Sequence, residues 1–137
     1  MPNLIDLTNA TAAPAEAISW AQTAEWDTEQ PLLLNVDEEV VEAYLNAPLI
    51  GIDFPAFNDG RGLSLAVLLR TRFGYNNEIR AVGAIHEDLL HYLQRCGFST
   101  AELPDDRSTD TALACLQPHA GHYQGSVTEP RPKFRRA

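Results

Sequence analysis

Apolar and polar positions along this chain fall into two regimes. The first thirty residues are rich in Ala, Thr and Glu and show little periodicity before Ile18. From Pro31 onward, short apolar runs alternate with stretches whose apolar residues recur every three or four positions, the signatures of strand and helix. Leu32-Leu33-Leu34-Asn35-Val36, bounded by Pro31 and Asp37, reads as a buried strand. Asp37 is placed to cap a helix over residues 38–46, in which Val40, Val41, Tyr44 and Leu45 form a stripe behind an acidic first turn. Leu49–Phe54 reads as the second strand, fenced by Pro48 and Pro55. A helix over residues 63–73 follows, with Leu65, Leu68, Leu69 and Phe73 on one face and Gly74 placed to end it. Its apolar content predicts burial on more than one side. Glu78–Gly83 reads as the third strand, residues 85–95 as a helix closed by Gly97, residues 98–103 as a fourth strand and residues 110–116 as a last short helix. Within the first thirty residues, 16–26 reads as a short helix that turns Ile18, Ala21 and Trp26 toward the body.

Four strand–helix units at a spacing of roughly 20–25 residues predict an α/β fold with a mainly parallel open sheet and right-handed crossovers, with an open half-barrel as the alternative. The expected organisation is an extension over residues 1–30, a single small α/β domain over residues 31–124 and a basic, Pro-rich tail over residues 125–137.

Charge divides the chain further. Ten basic against nineteen acidic residues give a net −9. Residues 131–137 alone carry +4, which leaves −13 for residues 1–130. Such a body repels a nucleic-acid backbone, so DNA or RNA binding is not expected of it. The tail, with Arg131, Lys133, Arg135 and Arg136, reads as a solubilising end or as a contact for an acidic surface. No apolar run approaches membrane-spanning length, so no membrane association is expected. Two cysteines in separate predicted helices form no CxxC pair, and no signal-peptide pattern precedes them, so the expected compartment is the cytoplasm.

Candidate chemistry gathers at the carboxyl ends of the predicted strands, where sites in open α/β sheets lie. Residues 1–60 hold eleven Asp or Glu and no Lys or Arg; the first cation is Arg61, in Asp59-Gly60-Arg61-Gly62. A Gly-Arg-Gly opening a helix offers backbone N–H groups, a positive dipole end and a guanidinium fork, a combination that suits sulfate, sulfite or phosphate. The structural alternative is that Asp59 caps the helix, the glycines serve the turn and Arg61 pairs with Asp53. Phe57 and Ser64 flank this loop, and Arg80 lies within the third strand. These residues (Asp53, Phe57, Asp59, Gly60, Arg61, Gly62, Ser64 and Arg80) are the anion- or partner-binding candidates. His86 and His91 are five apart and do not share a helix face, and His119-x-x-His122 lies in a Pro/Gly-bounded segment, so no metal site is expected; nor does any cofactor motif occur. Cys96 reads as a buried structural thiol, and Ser64 has no histidine at triad-like placement. No residue compels an enzyme assignment.

The run Asp53-Phe54-Pro55, Phe57, Asp59-Gly60-Arg61-Gly62 and Ser64, then Leu68-Leu69-Arg70, Gly74-Tyr75, Glu78-Ile79-Arg80-Ala81-Val82-Gly83, Asp88-Leu89 and Arg95-Cys96-Gly97-Phe98, with Tyr123-Gln124 beyond, resembles DUF934, a bacterial family of unknown function. The chain departs from the family pattern at Asp53, Ser99 and Ala101, and it lacks the family's basic, tryptophan-containing N-terminal motif. Members are often described as associated with sulfite reduction. The resemblance therefore implies an accessory protein of assimilatory sulfate and sulfite reduction, in cysteine biosynthesis, binding sulfite reductase or its electron donor. It supplies no catalytic residue. Two other readings stand beside it. One is a small enzyme or sensor taking a sulfur oxyanion at residues 59–62; the other is a structural subunit whose homo-oligomer completes an eight-stranded sheet or barrel.

Overall fold

The computed structural model describes residues 2–116. The tail and the Tyr123-Gln124, His119 and His122 positions lie outside the described residues. Seven strands form one sheet: β1 (Asn3–Asp6), β2 (Thr11–Pro14), β3 (Ala21–Gln22), β4 (Leu32–Asn35), β5 (Leu49–Phe54), β6 (Glu78–Gly83) and β7 (Thr100–Leu103). Their order is β2-β1-β7-β6-β5-β4-β3. β3 to β7 are parallel and lie in sequence order, and β1 runs antiparallel to both β2 and β7. The fold is α/β with a mostly parallel, open sheet.

Because each parallel strand is added on the same side of its predecessor, right-handed crossovers place the intervening helices in one layer. The helices obey this: α1 (Gly60–Thr71) packs on α2 (Leu90–Cys96), and α2 on α3 (Thr109–Cys115). Ile50, Ile52, Phe54, Ile79, Ala81, Ala101 and Leu103 point into that layer and form the core with Leu65, Leu69, Leu90 and Leu93. The alternating positions Gly51, Asp53, Arg80 and Glu102 face the opposite side.

That opposite face is crossed by the chain itself. Residues 15–20 link β2, at one edge of the sheet, to β3 at the other. Seven residue steps span at most about 25 Å, whereas the six inter-strand spacings between those edges measure about 29 Å along the sheet. The link therefore follows a chord, and the sheet curls around it. Trp20 lies against Gly51 on this concave face.

Several sequence expectations change here. The first thirty residues contribute three strands to the sheet. Residues 16–26 are not helical: Ala21 and Gln22 pair with Leu32 and Leu33 on the edge of β4, and that pairing outweighs helix propensity. The helix expected over residues 38–46 contracts to a 3-10 turn at Glu42–Asn46, begun at Val41 in extended backbone. Glu38 accounts for the loss, since its carboxylate accepts from the Asn35 N–H (2.7 Å) and from the Thr23 hydroxyl (2.6 Å) and folds the chain into a turn. α1 starts three residues earlier than expected because Asp59 caps it. The burial expected on several sides of α1 is incomplete, for Leu63, Val67 and Leu68 are only part-buried. The helix expected over residues 85–95 is a 3-10 turn at Glu87–Leu89 leading into α2.

Candidate functional site

The loops leaving β4, β5, β6 and β7 converge at the carboxyl edge of the sheet. They bring Asp37, Glu38, Glu39, Asp53, Asp59, Glu87, Asp88, Asp105 and Asp106 to one rim, against two guanidinium groups, Arg61 and Arg107. Both cations are held by a carboxylate of the rim itself.

Arg61 pairs with Asp59 rather than with Asp53. The Asp59 carboxylate accepts from the Arg61 backbone N–H (3.0 Å), from Nε (3.0 Å) and from Nη2 (2.8 Å). One carboxylate thus caps α1 and closes a fork on the guanidinium two residues later. The Arg61 side chain draws the Asp59 carboxyl below its ordinary range, and Asp59 in turn raises the guanidinium. Asp59 thus occupies the α1 N-terminal N–H and one edge of the Arg61 guanidinium, and an oxyanion reaching that edge must displace it. Gly60 and Gly62 differ in role: nothing surrounds the space beside Gly60, whereas Gly62 is buried against the Phe54 ring. Ser64 is exposed on α1.

Arg107 is held on the other side of the rim. Its Nε donates to Glu87 Oε1 (2.8 Å), and its Nη2 lies 2.7 Å from both that oxygen and His86 Nε2. Glu87 Oε2 accepts from the Ser108 N–H (2.9 Å), at the residue that caps α3. Burial opposes ionisation of Glu87, but the Ser108 and Arg107 donors outweigh it and hold the carboxyl down to about 2. The other ring nitrogen, His86 Nδ1, accepts from the Asp88 N–H (3.2 Å) and so caps the 3-10 turn at Glu87–Leu89. This loop-to-loop clamp was not foreseen from the sequence. Its one signal is Ser108 ahead of an acidic first turn.

Phe57 stands on the rim with 46% of its surface exposed, its ring stacked on His86 at 5.0 Å between centroids. The sequence candidates Asp53, Phe57, Asp59, Gly60, Arg61 and Gly62 thus share the carboxyl edge. Arg80 does not join them. It is buried on the concave face, bound to Glu78 (2.9 Å) and Glu102 (3.2 Å). A cavity of about 330 Å³ lined by Pro2, Gly83, Glu102, Pro104 and Asp105 lies between that face and the rim.

Among the described residues no three His, Cys, Asp or Glu side chains are grouped to hold a metal ion, and no helix is long and apolar enough to cross a membrane. Cys96 is half-buried; burial pushes its thiol up, against the opposing charge of Arg95. What the rim offers chemically is a dense carboxylate field, two internally neutralised cations and one exposed aromatic ring.

Comparison with curated proteins and with solved structures gives no match in either case. The family comparison does: the model of DUF934, a bacterial protein of unknown function, matches residues 33–134, and the chain belongs to that family.

Proposed function

We propose that this protein is a non-catalytic accessory protein of assimilatory sulfite reduction, in cysteine biosynthesis, which acts in the cytoplasm by docking onto sulfite reductase or its electron donor. The observation that carries the reading is the exposed Phe57 ring set in a rim whose two cations are already paired with its own carboxylates. An aromatic anchor on a rim with more carboxylates than cations fits a basic patch on a partner, where the ring supplies burial and the charges supply orientation and encounter rate. The oxyanion reading is weaker, because Asp59 already occupies the Arg61 backbone N–H and the Nε–Nη2 edge of its guanidinium.

Titration of the purified protein against sulfite reductase and against its electron donor tests this directly. Affinity for one of them is expected to fall about tenfold or more as salt rises through the physiological range, and again with Phe57→Ala or Asp88→Lys. Absence of binding to both, or binding indifferent to salt and to both substitutions, overturns the proposal. A deletion strain that fails on sulfate and sulfite but grows on cysteine supports the pathway; normal growth on all three counts against it.

A further inference from the structure

The rim leaves one surface of the molecule unexplained. Between Leu63 and Leu69 the apolar residues of α1 fall on every side of the helix, a pattern that belongs to helices covered all round. Gly62, Leu65, Ala66 and Leu69 are buried, but Leu63, Val67 and Leu68 are only part-covered. With Ser64, Thr71 and Cys96 of α2 they line a shallow hollow of about 290 Å³. Tyr92, 54% exposed, stands on α2 one helical turn before Cys96 and adds an aromatic ring beside it.

Charge sets this surface apart from the rest of the body. Residues 60–77 contain no Asp or Glu but include Arg61, Arg70 and Arg72, in a chain whose first 130 residues carry −13. Arg70 is spent on backbone carbonyls. Arg72 directly follows Thr71, and Arg95 directly precedes Cys96. Both are exposed, and neither has a carboxylate partner among the described residues. On the helix surface Arg72 lies one turn beyond Leu68 and Arg95 one turn beyond Tyr92, so two uncommitted cations stand at the carboxyl ends of α1 and α2 beside the hollow.

We propose that the outer face of α1 and α2 is a second docking surface, which takes an acidic amphipathic segment of a partner protein. Its apolar side chains would fill the hollow over Leu63, Val67 and Leu68, and its carboxylates would pair with Arg72 and Arg95. Other occupants fit the charge less well. A two-fold dimer through this face sets Arg72 and Arg95 of one copy against those of the other. The chain's own tail brings Arg131, Lys133, Arg135 and Arg136 to the same cations. An acidic helix laid in a groove combines apolar anchoring with opposite charge, and the rim, of the reverse sign, stays free for a basic partner.

Two 18-residue amphipathic peptides, one of Leu, Ala and Glu and its counterpart with Lys for Glu, test this on the isotope-labelled full chain by chemical-shift mapping. The Glu peptide is expected to shift the Leu63, Val67 and Cys96 resonances despite the protein's overall negative charge. Its affinity should drop about tenfold in an Arg72→Glu/Arg95→Glu double variant, to which the Lys peptide should gain binding at the same resonances. No shifts at the hollow from the Glu peptide, equal binding there by both peptides, or indifference to the double variant would each overturn the proposal. So would concentration-dependent self-association abolished by Val67→Glu, because the occupant would then be a second copy.

Discussion

The indole of Trp20 occupies the space into which any side chain at Gly51 would project: a Cβ built on Gly51 comes within 2.5 Å of a ring carbon of Trp20. Gly51 is the central position of β5 on the concave face, and Trp20 belongs to the link that crosses that face from one sheet edge to the other. Close approach of the ring to bare backbone holds the link down. Gly51→Ala is accordingly expected to cost about 1–3 kcal/mol, the usual scale of overpacking. A red shift in Trp20 emission should accompany it. A variant with the wild-type urea midpoint and unchanged emission would mean that the link does not rest on β5.

Gly60 and Gly62 flank Arg61 symmetrically in sequence, but they call for opposite outcomes on substitution. Both have ordinary negative φ. A Cβ at Gly60 meets nothing within 4 Å, so Gly60→Ala should gain about 0.5–1 kcal/mol from reduced freedom of the unfolded chain and better helix propensity. A Cβ at Gly62 falls 2.5 Å from the Phe54 ring, so Gly62→Ala should lose about 1–3 kcal/mol. Urea midpoints that move in the same direction for both variants would contradict this placement of α1.

β5 and β6 match the expected ranges because apolar runs closed by proline or glycine define them locally. The antiparallel β1 is different: Asn3-Leu4-Ile5-Asp6 is a weak alternation by itself and becomes a strand only by pairing with β7, nearly a hundred residues on. A single chain gives no sign of such a partner. The residues after Asn35 fail for a similar reason, since Glu38 is committed to Thr23, fifteen positions earlier. At the candidate site, the acidic character of the carboxyl edge and the Asp59 cap were legible, because both depend on neighbours in sequence. The Glu87–Arg107–His86 clamp was not, because it joins two loops about twenty residues apart.

Arg70 fastens α1 to the segments that lead into β6 and β7. Its guanidinium donates to the carbonyls of Gly97 (2.9 Å), Tyr75 (2.7 Å) and Asn77 (2.8 Å) and to the Ser99 hydroxyl (3.0 Å). Gly97, at φ 106°, closes α2 and lets the Arg70 stem pass where a Cβ would stand. An ammonium cannot reproduce this planar fork, so Arg70→Lys should cost about 2–4 kcal/mol, nearly as much as Arg70→Met. A loss under about 1 kcal/mol for Lys, read from urea unfolding, would show that a single point charge suffices.

Glu87 supplies an acid-sensitive link between the loops after β6 and β7. Its carboxyl titrates at about 2 in the folded chain against 4.5 for the free group, so the folded state favours the ionised form. The stabilisation is therefore fully present above pH 4.5 and is lost as pH falls through the folded value near 2. Glu87→Gln removes the ionised acceptor of Arg107 while keeping similar volume. At pH 7 the variant should unfold at lower urea than wild type, and the difference should shrink steadily from about pH 5 toward pH 2. Other carboxylates with lowered values, Asp6 and Asp59, remain in both proteins and cancel in the comparison. A difference that stays constant over that range would mean that the charge on Glu87 contributes nothing, and that Arg107 is held by shape and by His86 alone.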